Sequence, residues 1–147
     1  MGIGYRVFVR PTLRAQDSEK AHSRALLMLR AFSSNPVTRG MLSFLFRPRK
    51  KLPIECFGHT YHHPFGNAAG LDKRAEALRG WEAIGLSFIE IGGVTEHEQA
   101  GNPKPRMFRA TSARSLVNRM GFNNPGSEKV ALQLKHHFAK FGSPSVP

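Results

Sequence analysis

The sequence predicts a mixed α/β protein in which helices come first and a parallel sheet follows. Apolar residues recur at helical spacing in the first third of the chain, whereas short apolar runs separated by Gly, Pro, Asn and His begin at Ile54. A strand, a helix and a second strand then fit into about 27 residues, the βαβ arrangement that sets two strands in parallel. With 147 residues, 40% of them apolar, the chain holds one domain or part of one.

The N-terminal third predicts two amphipathic helices. Asp17 suits an N-cap, Glu19 suits a first turn, and apolar residues recur from Ala21 to Phe32, which together predict a helix over 18–32. The run 33–36 ends this helix, and the apolar residues of 37–46 predict a second, shorter one closed by four cations in 47–51. Such a pair is typical of a membrane-surface anchor, but an ordinary helical hairpin packed on its own domain has the same pattern.

The elements after Ile54 place the C-terminal ends of two strands at one edge of a sheet. We expect strands at 66–70 and 87–92 around a helix at 74–84, so that Asp72-Lys73 and Gly92-Gly93 follow neighbouring parallel strands. Enzymes with parallel barrels bind their ligands at that edge. The remaining predictions are a hairpin of 54–57 and 61–65, strands at 106–111 and 115–120, a helix at 127–140 and a frayed tail at 141–147.

The positive charge is concentrated at the N-terminus. Residues 1–53 contain 11 Lys and Arg against 2 acids, out of a net charge of +12 for the whole chain. Nucleic acid and anionic lipid are both partners that such a segment attracts. No apolar run is long enough for a spanning helix, no secretory signal is recognisable, and the single cysteine, Cys56, favours neither a disulfide nor a structural zinc site.

Six short runs resemble a known enzyme family in order and in spacing. They are PTL at 11–13, DSEKAH at 17–22, NAAGLDK at 67–73, EIGGVT at 90–95, GNPKPR at 101–106 and NRMGFN at 118–123. The chain resembles the quinone-dependent, membrane-associated class of dihydroorotate dehydrogenase over about residues 5–140. That family is an FMN enzyme of pyrimidine synthesis with a (β/α)8 barrel.

The resemblance implies a helical, membrane-associating quinone-tunnel segment at 1–53 and the first part of an FMN-binding barrel at 54–147. It favours the anchor over the plain hairpin and leaves nucleic acid without support, since no stacking platform accompanies the charge. The membrane would be the mitochondrial inner membrane in a eukaryote or the cytoplasmic membrane in a bacterium.

The resemblance also implies which residues bind each ligand. Lys73 and Asn118 would bind both FMN and the substrate pair dihydroorotate and orotate, and His22 and Arg109 would line the quinone tunnel. The other implied cofactor residues are Ala68, Ala69, Gly70, Leu71, Asp72 and Gly93, and the other implied substrate residues are Arg119, Met120, Gly121 and Phe122. Gly93 stands where the family usually has a hydroxyl residue, so only backbone contact with the flavin is expected there. No metal is expected, because the adjacent pairs His62-His63 and His136-His137 have diverging side chains.

The resemblance covers only part of a barrel, which needs on the order of 250 residues. In the family, the general-base serine and the FMN phosphate site lie on later segments, so no catalytic base is expected in this chain. We therefore expect the 147-residue chain to lack dehydrogenase activity by itself. The alternative is a non-catalytic chain whose remaining property is peripheral membrane association.

Overall fold

The computed structural model describes residues 3–50, 52–143 and 146–147. Its N-terminal part is helical: a π-helical turn, Tyr5–Val9, continues into α1 (Arg10–Arg14), and α2 (Ser18–Ser34) and α3 (Pro36–Phe46) follow. The Asp17 carboxylate accepts a hydrogen bond from the Lys20 backbone N–H at 2.9 Å, and the Asn35 side chain accepts from the Val37 N–H at 2.8 Å. Both predicted helices are therefore found, each with a side-chain N-cap. The helical turns before Ser18 were not predicted, because they bury no residue and so leave no apolar period in the sequence.

α3 turns much of its apolar surface to solvent. Val37 is 79% exposed and Phe44 75%, while Met41, Leu45 and Phe46 are also exposed. The opposite side of the helical pair is packed, because Leu29 of α2 contacts Gly80 of a helix in the following segment. A Cβ at Gly80 would lie 2.9 Å from Leu29 Cδ1, so a larger residue would force these helices apart.

Two antiparallel hairpins frame the middle of the chain. β1 (Ile54–Cys56) pairs with β2 (His59–Tyr61), and β3 (Met107–Ala110) pairs with β4 (Ser115–Asn118). The second strand of the first hairpin was predicted at 61–65 but begins at His59. Phe57 and Gly58 both have positive φ, 50° and 76°, so they form a two-residue turn that brings the return strand forward.

The predicted parallel pair is present in a shorter form. Asn67 bridges Ile89 in parallel, with the Ser87 N–H donating to the Phe65 carbonyl at 2.9 Å. Neither segment is a regular strand, since Gly70 and Gly92 at their ends have positive φ.

The helix predicted at 74–84 begins late, as α4 (Leu78–Ala83). Ala75 has a φ of 54°, which is not helical, and the residues before Leu78 wrap around the fully buried Asp72. Its carboxylate accepts hydrogen bonds from the backbone N–H groups of Glu76 at 2.8 Å and Ala77 at 2.9 Å, and from Trp81 Nε1 at 3.1 Å. A loop organised by Asp72 thus replaces the first helical turns.

The C-terminal helix, α5 (Ser127–Phe141), is found as predicted, but the tail is not frayed throughout. Val146 is 8% exposed, and the Pro147 carbonyl accepts a hydrogen bond from the Ile89 N–H at 3.0 Å. The Ile89 N–H points away from Asn67, so it has an open edge on which an extended segment can pair. The prediction was wrong for residues 146–147, and residues 144–145 lie outside the described part of the chain.

Replacing Asp72 tests whether its carboxylate organises this loop. Asp72→Asn keeps one acceptor oxygen but turns an amide NH₂ group toward N–H donors. We therefore expect the free energy of unfolding, measured in urea, to fall by about 2 kcal/mol. Glu55→Gln, on exposed β1, removes the same charge and should leave the urea midpoint unchanged. Equal midpoints for the two variants would contradict this role of Asp72.

Candidate functional site

An open cavity of about 940 Å³ lies between α2, the loop that follows Asn67 and the hairpin β3–β4. Four predicted ligand-binding residues line it together: His22 from α2, Lys73 from the loop, Arg109 from β3 and Asn118 from the end of β4. The cavity is therefore assembled from both halves of the chain.

Small residues form one wall of the cavity. Ala68, Ala69, Gly70 and Leu71 all line it. Gly70 has a φ of 95°, and a Cβ placed there would meet no atom within 4 Å, so its backbone faces open space. A flat ligand can approach the backbone closely at such a wall.

Lys73 supplies positive charge to the cavity. Its ammonium donates a hydrogen bond to the Asn123 side-chain oxygen at 2.5 Å. Burial lowers the pKa of Lys73, the nearby charge of Arg106 lowers it further, and Glu19 acts in the opposite direction. A partly desolvated ammonium with one protein acceptor is suited to an anionic ligand group.

Asp72 lines the same cavity, but its carboxylate is bound to three N–H donors of its own segment. The carboxylate is therefore satisfied within the protein, and the segment that it holds leads directly to Lys73.

Sequence reasoning missed an ion pair beside the cavity. Arg106, 7% exposed, donates from Nη2 to Glu19 Oε1 at 2.7 Å and from Nε to Oε2 at 3.2 Å. Lys104 approaches the same carboxylate at 3.4 Å. The hydrogen bond from Arg106 is the main cause that lowers the pKa of Glu19. Both residues belong to runs that carry the resemblance, but 87 positions separate them, so no local pattern joins them.

Asn123 was also missed, although it ends the NRMGFN run. The run is held against the loop at 101–106: the Asn102 side chain donates to the Arg119 carbonyl at 2.7 Å. Gly121, with a φ of 71°, makes this approach possible, because a Cβ there would lie 2.9 Å from the Asn102 backbone nitrogen.

The run places only some of its side chains at the cavity. Asn118 and Met120 line it, whereas Arg119 donates to the Pro105 carbonyl at 3.2 Å and lies 6.0 Å from the Phe108 ring. Alternation along an extended segment accounts for 118–120 but not for the end of the run, where Asn123 lines the cavity and Phe122 does not. The predicted residues that do not line the cavity are Gly93, Arg119, Gly121 and Phe122.

His22 and Arg109 also line a second cavity of about 410 Å³, on the side of the N-terminal turns. Tyr5, Leu13 and Ala25 contribute to its walls. The two residues thus stand between the larger cavity and the exposed helical segment.

Two features are absent from the part of the chain that the structure describes. Among residues 3–50, 52–143 and 146–147, no three His, Cys, Asp or Glu side chains are grouped as metal ligands. No helix in those ranges is long and apolar enough to cross a membrane.

The Glu19–Arg106 pair predicts a pH-dependent stability. Because the folded pKa of Glu19 lies below its ordinary value of 4.5, the contribution is complete above that value and is lost as the pH falls through the lowered pKa. Glu19→Gln should therefore lower the free energy of unfolding by about 2 kcal/mol at neutral pH. The deficit should shrink on acidification.

The matched control is Glu98→Gln, which removes the carboxylate of the exposed pair with Lys129. It should have a much smaller effect at neutral pH. A pH-independent deficit for Glu19→Gln would contradict the electrostatic origin.

Comparison with known proteins agrees with the geometry. Residues 51–147 match the family model described as dihydroorotate dehydrogenase. Dihydroorotate dehydrogenase (quinone) of Gloeobacter violaceus is 44% identical over 131 residues, which are 88% of this chain and 36% of the relative. The enzyme of the same name from Thermus thermophilus is 45% identical over 124 residues, 84% of this chain and 36% of that relative.

The solved structures give the same result. A ligand-free DHODH of Eimeria tenella aligns with a TM-score of 0.63 at 33% identity, covering 82% of this chain and 31% of that one. The ferulenol complex of DHODH from the same organism aligns with a TM-score of 0.62. This chain thus spans about 36% of the length of the curated relatives it matches. On these matches, together with the cavity that joins Lys73 and Asn118 to α2, the chain belongs to the dihydroorotate dehydrogenase family.

Proposed function

We propose that this chain supplies the N-terminal part of a quinone-dependent dihydroorotate dehydrogenase, which oxidises dihydroorotate to orotate in pyrimidine biosynthesis. The observation that carries the proposal is one cavity shared by Lys73, Asn118, His22 and Arg109. The resemblance implies that Lys73 and Asn118 bind the pyrimidine and that His22 and Arg109 bind the quinone. These residues come from separate elements, and all four line this cavity.

The order of the extended segments fits the beginning of a (β/α)8 barrel. Asn67 bridges Ile89 in parallel, and the Pro147 carbonyl accepts a hydrogen bond from the Ile89 N–H on the opposite edge. α4 connects the first pair, and α5 precedes the third segment. Consecutive parallel neighbours joined by helices are the repeating unit of that barrel, so we assign 54–147 to it and 1–53 to a separate helical segment.

The cavity wall fits a flavin. The backbone at Ala68, Ala69 and Gly70 is open to a flat ring, and Lys73 places a cation beside it. A bound FMN would accept the two electrons removed from the substrate, and positive charge near its ring favours the reduced form. The Asp72 carboxylate acts indirectly, because it holds the loop from which Lys73 extends.

Lys73 and Asn118 orient the substrate in this proposal. The Lys73 ammonium pairs with the substrate carboxylate, and the Asn118 amide offers a donor and an acceptor to the ring imide. Met120 lines the same face of the cavity. Arg119 holds this segment through its side-chain hydrogen bond to the Pro105 carbonyl, and Gly121 and Phe122 shape it through their positive φ. No residue of this chain is assigned the removal of the substrate proton.

His22 and Arg109 hydrogen-bond a quinone carbonyl in this proposal. Arg109 is held by a hydrogen bond to the Gln16 carbonyl, between α1 and α2, which keeps it near His22 at the junction of the two cavities. Quinones are apolar, and the exposed apolar residues of α3 offer a surface for the membrane that stores them.

A hybrid enzyme tests the catalytic proposal. In the Gloeobacter violaceus enzyme, the 131 matched residues are replaced by those of this chain. We expect the hybrid to reduce quinone with dihydroorotate, and Lys73→Ala in it should lower kcat/KM by more than about tenfold, the loss of one charge-assisted contact. Lys129→Ala, on exposed α5, is the matched control and should retain activity. A Lys73→Ala hybrid as active as this control would refute the assignment.

The second candidate function is peripheral membrane association without catalysis. The exposed apolar residues of α2 and α3 favour it: Leu27, Met28, Val37, Phe44 and Leu45 all face solvent. Cations flank them, with Arg47, Arg49 and Lys50 after α3. This candidate needs only residues 1–53.

Vesicle sedimentation tests the membrane contact of α3. The double substitution Phe44→Ser with Leu45→Ser removes apolar surface that would enter the interface, so binding to anionic vesicles should fall at least tenfold. Leu132→Ser, which removes an exposed leucine from α5, should bind like the unmodified chain. Unchanged binding of the double variant would exclude α3 as the membrane contact.

A further inference from the structure

A cationic cavity lies where α3 meets α4 and the end of α5, apart from the site described above. It encloses about 340 Å³, within the range of small-molecule sites, about 300–1,000 Å³. Arg39 and Ser43 lie four residues apart on one face of α3, and Arg47 follows directly after the helix ends at Phe46. Arg79 reaches the cavity from α4.

More positively than negatively charged side chains line the cavity. Three guanidinium groups line it, and Glu82 is the carboxylate among its lining residues. None of the three guanidinium groups forms an ion pair with a carboxylate of the described residues. Bringing like charges together is unfavourable unless an anion balances them.

Arg79 is preorganised for an anion. Its guanidinium carbon lies 4.2 Å from the centroid of the Phe141 ring, a cation–π contact. Stacking uses the face of the guanidinium and leaves the in-plane N–H groups for hydrogen bonds at its edge. Ser43, half-buried on α3, adds a hydroxyl group to the lining.

We propose that the cavity formed by Arg39, Ser43, Arg47 and Arg79 binds a phosphate group. Guanidinium groups match phosphate oxygens in charge and in geometry, and arginines from two helices surround the space. The bound anion joins α3 to the body of the protein. The proposal is independent of the dehydrogenase function, because it uses no residue of the site around Lys73.

Two kinds of molecule carry a phosphate group that fits this cavity. A free phosphate or phosphate ester is one, and the phosphodiester of a lipid headgroup is the other. The apolar residues Val37, Met41 and Phe44 lie on a different face of α3 from the arginines, so a membrane under α3 brings headgroups to the rim at Arg47.

Calorimetric titration of the 147-residue chain with inorganic phosphate tests the site. We expect saturable binding at one equivalent and a rise in Tm with phosphate concentration. Arg79→Gln and Arg39→Gln should each weaken binding about tenfold, as for the loss of one charge-assisted contact. Arg39 is the independent test, because Phe141 does not stack on it.

Arg49→Gln is the matched control, since Arg49 carries the same charge just beyond α3 but does not line the cavity. It should bind phosphate like the unmodified chain. Absence of saturable binding, or an equal loss in Arg49→Gln, would overturn the proposal.

Phosphatidylcholine vesicles with and without phosphatidylglycerol separate the two sources. If the ligand is a headgroup, inorganic phosphate displaces the chain from the anionic vesicles, and Arg39→Gln binds them more weakly than Arg49→Gln. If the ligand is a free phosphate, the calorimetric result stands while Arg39→Gln and Arg49→Gln bind vesicles equally.

Discussion

The ion pair between Arg106 and Glu19 is the interaction on which the site depends. Arg106 is almost completely buried, and all of its hydrogen-bonding nitrogens are used: Nε and Nη2 donate to Glu19, and Nη1 donates to the carbonyls of Ala100 at 2.7 Å and Asn102 at 3.0 Å. One side chain therefore fixes a loop of the α/β part and the first turn of α2. A buried guanidinium without its carboxylate is costly, so the helix and the loop stay together.

This ion pair also sets the electrostatics of the cavity. Arg106 lies close enough to Lys73 to lower its pKa, and Glu19 partly compensates. The helical segment thus contributes a carboxylate that balances two cations of the α/β part, while its own His22 lines the same cavity. In the proposed enzyme, this arrangement joins the place where substrate is oxidised to the place where quinone is reduced, so separating α2 from the loop would disrupt both.

Local chemistry made several elements predictable from the sequence. The Asp17 cap, the apolar period of α2 and the parallel order of 66–70 and 87–92 all depend on residues close in sequence or on a repeated pattern. The late start of α4 was not predictable in this way, because it depends on the Asp72 carboxylate reaching Trp81, nine residues later. The partners of Arg106 and Lys73 lie 87 and 50 positions away, so only the folded chain brings them together.

The two ends of the helical pair are held in different ways. At the start of α2, Glu19 and Arg106 neutralise each other, so that junction needs no further ion. Arg39 near the start of α3 and Arg47 just after its end line one cavity with Arg79, and positive charge exceeds negative charge among the lining residues. Because an interface with excess like charge is stabilised by a counterion, the first junction depends on the ionised Glu19 carboxylate and the second on the proposed phosphate. The exposed apolar residues of α3 lie on the helix that this second junction holds, so a phosphate bound there would fix the helix that we propose as the membrane contact.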